Sequence, residues 1–423
     1  MTNRNDKPLK ILYIVDARSP TFRNWVKHFV ETGHEVRVIS TYPCDVNSVP
    51  GVKIELVPNF FSAFSGIKHN GTIGTRQPSV ISPILATIRS GAIADKIRAA
   101  RYWLGPLELR RHVPKVRRLI TEFAPDIVHA MRIPFEGMLA GLSIPSGIPL
   151  LVSIWGNDFT LHAKGTPLMN RLVRRTLKRA DALHPDCERD LHLAEQLGFS
   201  LDKPRIVLPG GGGIQRNVFS PNVPDKSLFR KFDIPPGAPV IINPRGFRIG
   251  SVCNDVFFEA IPRVLRKRPD AFFICSSMAG NSIVNGWIEE HDIRQNVRLL
   301  PPVARDEMAK LFRLAMISVS PSIHDGTPNS LLEAIACGCF PVAGDVDSIR
   351  EWIEDGVNGL LCDAKNPDSQ ADAILRALGD EKLREQARSI NSKLIDERAE
   401  YESVMRCAEN FYYEVINHSR AEN

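Results

Sequence analysis

Residues Lys10–Ser40 read KILYIVDARSPTFRNWVKHFVETGHEVRVIS. Two short apolar runs, Lys10–Asp16 and Glu35–Ser40, flank Phe22–Thr32, which sets Trp25, Val26, Phe29 and Val30 on one face at helical spacing. A strand, a helix and a strand within about 30 residues make a βαβ unit, with parallel pairing and a right-handed crossover. Strand-length runs follow at Asp126–Ala130, Pro149–Trp155, Ala182–His184 and Arg205–Leu208, with helical stretches between them. The alternation predicts an α/β domain whose largely parallel sheet is buried.

The pattern breaks at Pro209–Gly213, PGGGG, and Pro221, Pro224, Pro235 and Pro236 follow. Four consecutive glycines weaken helix and strand alike, so this segment reads as a loop or hinge. The alternation then restarts. Val240–Asn243, Ala271–Ser276, Val297–Leu300, Ile317–Ser320 and Phe340–Ala343 read as strands, with Phe257–Lys267, Glu307–Phe312 and Ser330–Cys337 as helices between them. Gln370–His418 lacks proline and, after Gly379, glycine, and reads as closing helices. A chain of 423 residues accommodates two such domains.

Hydrophobic content of 43% and charged content of 24% exclude global disorder and fibrous repeats. No apolar run approaches the roughly 20 residues of a membrane-spanning helix. Met1–Lys10 is polar and has no signal-peptide core, which predicts a cytoplasmic protein. The eight cysteines show no Cys-x-x-Cys spacing, and Cys337 and Cys339 are too few for a zinc site, so buried thiols in a reducing compartment are expected. Residues 1–200 carry 27 Lys+Arg against 17 Asp+Glu, and the remainder 27 against 31. A basic N-terminal half attracts anions such as lipid head groups or acidic glycans. Its basic region lacks interleaved aromatics, so no nucleic-acid partner is expected.

The chemistry concentrates in Pro321–Gly344, PSIHDGTPNSLLEAIACGCFPVAG. A strand ends near Pro321, a polar turn follows, and a helix begins near Ser330 with free amides and a positive dipole end suited to a phosphate. Asp325 lies in the turn, and Glu333, eight positions later, in the helix's first turn. A carboxylate there can accept two hydrogen bonds from a ribose diol. On spacing alone, the two carboxylates serve equally well to cap and solvate a helix.

This stretch resembles the carboxylate-x7-carboxylate motif of the retaining glycosyltransferases of family four, whose GT-B fold has two facing Rossmann-like domains. Lys10–Ser40 resembles that family's opening βαβ unit, Pro125–Ala130 a mid-domain strand, and Pro209–Pro221 its interdomain segment. Asn296–Ser322 and Asp355–Leu361 resemble its later strands and closing loop. The resemblance implies an N-terminal acceptor-binding domain over 1–208, a linker over 209–224 and a nucleotide-sugar-binding domain over 225–395. A C-terminal helix over 396–423 is expected to pack back on the first domain.

By the same resemblance Glu333 binds the donor ribose. Asp325, where the family usually has Glu, holds the donor sugar together with the amides of Gly326 and Thr327. Asn329 and Ser330 offer amides to the diphosphate. Arg245 matches the family's clamping Arg; the usual Lys is missing, and Arg248 is the available substitute. Two cations there stabilise the charge that develops on the leaving diphosphate. Backbone around Pro302 and Val303 is expected to contact the base. On the acceptor side stand Arg18, Ser19, Trp155, Asn157 and Asp158. Trp155 replaces a family His, and an indole can stack on a sugar but carries no proton. His129, His162 and His184 are candidates to supply that role. The family's favoured mechanism is front-face displacement, with the donor phosphate helping to deprotonate the acceptor. No metal is implied, because Asp345-x-Asp347 is a poor counterpart of a metal-chelating motif, and no cofactor is expected.

In Leu107–Phe123 the apolar Leu109, Val113, Val116, Ile120 and Phe123 recur at helical spacing, and Arg110, Arg111, Lys115, Arg117 and Arg118 cover the rest. Pro114 is expected to kink that helix or delay its start. With Ile84–Trp103 the basic face suits an anionic membrane surface, or simply solvates a core helix. The expected function is transfer of a hexosyl or N-acetylhexosaminyl group from a UDP-sugar or a GDP-sugar to a glycan or lipid-linked acceptor, at the inner membrane face if peripheral. The alternatives are a catalytically weak GT-B protein that binds a nucleotide or partner, and another GT-B enzyme such as an epimerase or phosphorylase.

Overall fold

The computed structural model describes residues 7–58, 92–248 and 250–422. They form two compact units. One comprises the chain up to Pro185, Asp190–Val207 and the end of the chain from Cys407; the other comprises Asp186–Arg189 and Leu208–Arg406.

In the first unit β1 (Lys10–Val15), β2 (Glu35–Ser40), β3 (Lys53–Leu56), β4 (Ile127–Ala130), β5 (Leu150–Ile154) and β6 (Ala182–Pro185) form one parallel sheet in the order β3-β2-β1-β4-β5-β6. β4, β5 and β6 are buried throughout, which is why they read as unbroken apolar runs. One strand is unanticipated and one expected strand is absent. β3 has the sequence KIEL, too short and polar to stand out, and is held by its pairing with β2. Arg205–Leu208 is no strand; it touches the sheet through a single bridge from Arg205 to Leu183.

The helix Ala92–Phe123 runs through both Pro106 and Pro114, so Pro114 does not delay its start. Leu109, Val116, Ile120 and Phe123 are buried against the sheet, and the five basic residues between positions 110 and 118 are exposed. Residues 84–91 of the basic segment lie outside the described residues.

The helix Tyr401–Glu422 joins this unit from Cys407 onward. Its Tyr412 ring stacks on Phe29 at 4.6 Å, and its hydroxyl lies 3.0 Å from the Trp25 indole nitrogen, 3.1 Å from the Tyr13 hydroxyl and 2.5 Å from His129 Nδ1. His129 continues through Ser153 to His184. Every polar atom in that chain has a partner, which is the condition for burying one.

In the second unit β7 (Val240–Asn243), β8 (Phe272–Cys275), β9 (Val297–Leu299), β10 (Ile317–Ser320), β11 (Phe340–Gly344) and β12 (Leu360–Cys362) pair in parallel in the order β12-β11-β10-β7-β8-β9. The glycine run has two local reasons. Gly212 and Gly213 adopt φ of +79° and +88°, and a Cβ on Gly211 would collide with the Asn329 side chain. In each sheet the winding direction reverses once, between β1 and β4 and between β7 and β10. The loops after such a strand pair diverge and leave a crevice for ligands.

Candidate active site

In the second unit the reversal point is flanked by the loops after β7 and β10. They are laced together: the Cys253 amide donates to the Pro321 carbonyl, and the Ile323 amide to the Ser251 carbonyl, both at 2.9 Å. The first loop carries Arg245 and Arg248, the second Asp325. Arg245 is 7% exposed; its guanidinium pairs with Asp325 at 2.5 Å and donates to Ser330 Oγ at 3.2 Å. Its Nε is buried with no hydrogen-bond partner among the described residues. The Arg248 side chain has no ion pair or hydrogen bond there. The Arg245 charge, with desolvation, holds the Arg248 guanidinium down at about 10, so it stays charged at neutral pH. Two mutually repelling cations share one carboxylate. Such a pair can accept an anion, which would relieve the repulsion.

Glu333 is the fifth residue of the helix Asn329–Ala336, at the start of its second turn and not in the first turn as expected, because the helix begins at Asn329. Burial pushes its carboxyl up to about 7, opposed by the charge of Arg305. No side-chain partner engages it among the described residues. Pro328 caps this helix without a side-chain acceptor, so the amides of Asn329 and Ser330 have no partner among the described residues. Arg245, Arg248, Asp325, Ser330 and Glu333 thus come from the two loops at this reversal point and the helix that follows.

One of the expected donor contacts is arranged differently. The Thr327 amide donates to Asp186 Oδ2 at 3.3 Å, and its hydroxyl donates to the Asp186 carbonyl while accepting from the Trp352 indole at 3.0 Å. Thr327 is therefore already engaged, and Gly326 has no room for a side chain against the same carboxylate. The Asp325 carbonyl accepts from Ser348 Oγ and from Arg189, which fixes the turn. Asp186, Arg189, Ser348 and Trp352 escaped sequence reading because nothing local marks them. Pro302 is exposed and Val303 half-buried, with the preceding Leu300 carbonyl taken by the amides of Met278 and Ala279.

The first unit has its own cavity of about 420 Å³ at its own reversal point, lined by the loops after β1 and β4. Arg18 and Ser19 line it, with Arg18 held by Asp16 at 2.9 Å and stacked 4.0 Å over Tyr42. Trp155 lines it too, and its indole Nε1 is buried without a partner among the described residues. Asn157 and Asp158 are not part of that wall. Both accept from Arg132 at 2.7 Å, and Asp158, fully buried, also accepts from the Trp155 amide. They set the loop's shape. Of the histidines, His129 and His184 belong to the Tyr412 network in the core, and burial holds His129 well below the usual imidazole range. His162 lines the cavity, with Nδ1 2.8 Å from the Tyr102 hydroxyl.

Residues 19–211 match the family model for the glycosyl transferase 4-like domain, and residues 254–393 match that for glycosyl transferases group 1. The chain belongs to the glycosyltransferases of family four. This glycosyltransferase is 30% identical over 220 residues to a D-inositol 3-phosphate glycosyltransferase of Paenarthrobacter aurescens, covering 51% of this chain and 50% of that one. It is 25% identical over 398 residues to a protein of the same name from Corynebacterium urealyticum, covering 90% and 82%. The match to the first of these curated relatives thus spans about half of its length. Among solved structures, Anabaena HepE in complex with UDP and glucose aligns with a TM-score of 0.69 at 14% identity, covering 96% of this chain and all of that one. At that identity the likeness is one of fold, and the fold of this glycosyltransferase is GT-B.

Proposed function

We propose that this glycosyltransferase moves a hexosyl or N-acetylhexosaminyl group, with retention, from a UDP-sugar to a hydroxyl of a glycan or lipid-linked acceptor. The observation that carries the donor half is the pair Arg245 and Arg248, faced by the single carboxylate of Asp325, beside the amides of Asn329 and Ser330. A nucleoside diphosphate supplies the missing anion, and the same groups stabilise it as it departs. Glu333 receives the ribose diol, Asp325 and Gly326 border the transferred sugar, and Pro302 and Val303 border the base. The UDP bound in HepE supports uridine over guanosine. The acceptor belongs to the N-terminal unit. A phosphorylated acceptor is favoured there because Arg18, Arg101 and Arg132 line the cavity and the relatives' name contains D-inositol 3-phosphate.

The donor reading is tested by thermal shift with UDP, GDP, ADP and their sugar conjugates. A ligand at about 100 times its Kd adds about 2.7 kcal/mol of apparent stability. Stabilisation by UDP and UDP-sugars is expected. A preference for GDP corrects the base alone, and a folded protein that answers to no nucleotide overturns the reading.

The work site is the inner face of a membrane. No described helix is long and apolar enough to cross one. On the helix Ala92–Phe123, however, Trp103, Leu104 and Leu107 are about half exposed, one turn before the exposed Arg110 and Arg111. An apolar patch beside cations suits an anionic bilayer surface. The protein is expected to sediment with anionic liposomes at low salt and to be released by high salt. Trp103→Ser combined with Leu107→Ser should abolish sedimentation. Failure of the wild type to sediment removes the membrane from the proposal.

A further inference from the structure

Glu136 is a buried carboxyl that neither the donor site nor the family motif uses. It is 3% exposed, yet it lines the N-terminal cavity. The backbone that carries it is strained: Phe135 adopts φ +65° and ψ −61°, in a wide turn from Ile133 to Gly137 that also contains an extended Pro134. A left-handed aromatic residue costs about 1–3 kcal/mol and persists where the surroundings impose it. The surroundings here include two glycines. A Cβ on Gly105 would strike the Phe135 ring at 2.8 Å, and one on Gly137 would lie 3.1 Å from the Arg132 carbonyl. The turn presses the Phe135 ring under the Arg101 guanidinium, 4.8 Å away, and sets Glu136 at the cavity wall.

The groups around Glu136 come from every neighbouring loop. Thr41, after β2, donates its hydroxyl to Glu136 Oε1 at 2.5 Å. Arg132, after β4, faces it with a fixed positive charge, and Asp16, after β1, opposes it from its pair with Arg18. Tyr42, whose phenol burial keeps protonated, accepts from Arg101 at 2.6 Å. His162 completes the titratable set at the cavity. The Trp155 indole N–H, also at this wall, has no partner among the described residues.

We propose that Glu136 reads the acceptor: its carboxylate accepts hydrogen bonds from hydroxyls of a sugar or cyclitol ring in this cavity, and the Trp155 indole N–H donates to the same ring. This deepens the acceptor half of the function proposed above and rests on it. A carboxylate and an N–H on one wall match the donor and acceptor character of a ring polyol, and charge-assisted bonds to the hydroxyls are the stronger kind. The ionised form is the one that binds. Burial, only partly offset by Thr41 and Arg132, pushes the Glu136 carboxyl up to about 7. Acceptor affinity therefore rises with pH, by about tenfold between pH 6 and pH 8, because the ring must bind the deprotonated protein.

The test is calorimetric titration of the full chain, with UDP present, using myo-inositol, D-inositol 3-phosphate, glucose and glucose 6-phosphate as probes at pH 6 and pH 8. At least one ring polyol is expected to bind, about tenfold more tightly at pH 8. Glu136→Gln should weaken it by about tenfold at pH 8 and flatten the pH dependence, which a contribution from His162 would leave in place. Thr41→Val removes the hydroxyl that favours the ionised carboxyl and should move the midpoint upward, so it carries the test if Glu136→Gln does not fold. Probe binding that is pH-independent, or the same in Glu136→Gln as in wild type, overturns the proposal. So does the absence of any probe binding by a protein that binds UDP. Failure to bind UDP at all counts instead against the donor reading.

Discussion

Glu333→Ala should weaken UDP binding by about 100-fold, measured by calorimetry at pH 8. The carboxylate stands at the start of the second turn of the helix after β10 with no hydrogen-bond or ion-pair partner among the described residues, so the ribose hydroxyls are its proposed partners. Two charge-assisted hydrogen bonds are together worth about 3 kcal/mol, which is about 100-fold in Kd. Because burial raises this carboxyl to about 7, binding should also weaken as pH falls from 8 to 6, by about tenfold. Glu333→Gln should remove that slope. The same shift has a stability consequence of opposite sign. A carboxyl raised on folding stabilises fully below its unfolded value, and that contribution is lost as pH rises through 7. At pH 8 Glu333→Gln is therefore expected to be more stable than wild type by about 1–3 kcal/mol in denaturant titrations. A residue whose removal strengthens the fold while destroying binding is kept for binding. Unchanged UDP affinity in both variants would remove Glu333 from the site.

The second large effect belongs to Arg245. Its loss leaves Asp325 without its cation and takes away the donor group at Ser330. Breaking a buried ion pair from one side destabilises by about 3–5 kcal/mol. Removing a donor aimed at a leaving group costs about 100- to 1000-fold in kcat. Arg245→Ala should show both. Arg245→Lys keeps the charge and should recover much of the stability but little of the turnover, since one ammonium cannot reproduce the planar fork that reaches both Asp325 and Ser330. Arg248→Gln separates the roles from the other side. It relieves repulsion against Arg245, so the fold should be unharmed, while kcat with a UDP-sugar falls by about tenfold. If Arg248→Gln turned over normally, Arg245 alone would carry the diphosphate.

The strand-helix alternation was legible in the chain because each element carries its own period. β7 and β10 are buried throughout, so they read as continuous apolar runs. β3 was not legible, since KIEL becomes a strand only when β2 offers it a ladder. The acid motif was visible for the same local reason: Asp325 and Glu333 share one turn-helix unit and keep their spacing wherever that unit lies. Thr327 shows the limit. Its amide and hydroxyl belong in a donor site by position, but they are engaged by Asp186, 141 residues earlier.

By itself, then, the sequence determined the wound α/β architecture, the break at the glycine run, the family, and the loop and helix that bear Arg245, Asp325 and Glu333. These depend on periodicity, backbone freedom and short-range spacing, which survive without knowledge of neighbours. Tertiary structure alone decided that Asp158 is a buried brace for Arg132, that His129 and His184 lie in the core beside Tyr412, and that Arg248 makes no ion pair among the described residues. It also decided that Glu136 stands at a cavity wall. Charge state, pairing and exposure are set by what is brought within a few ångströms from distant parts of the chain, and no local pattern encodes that company.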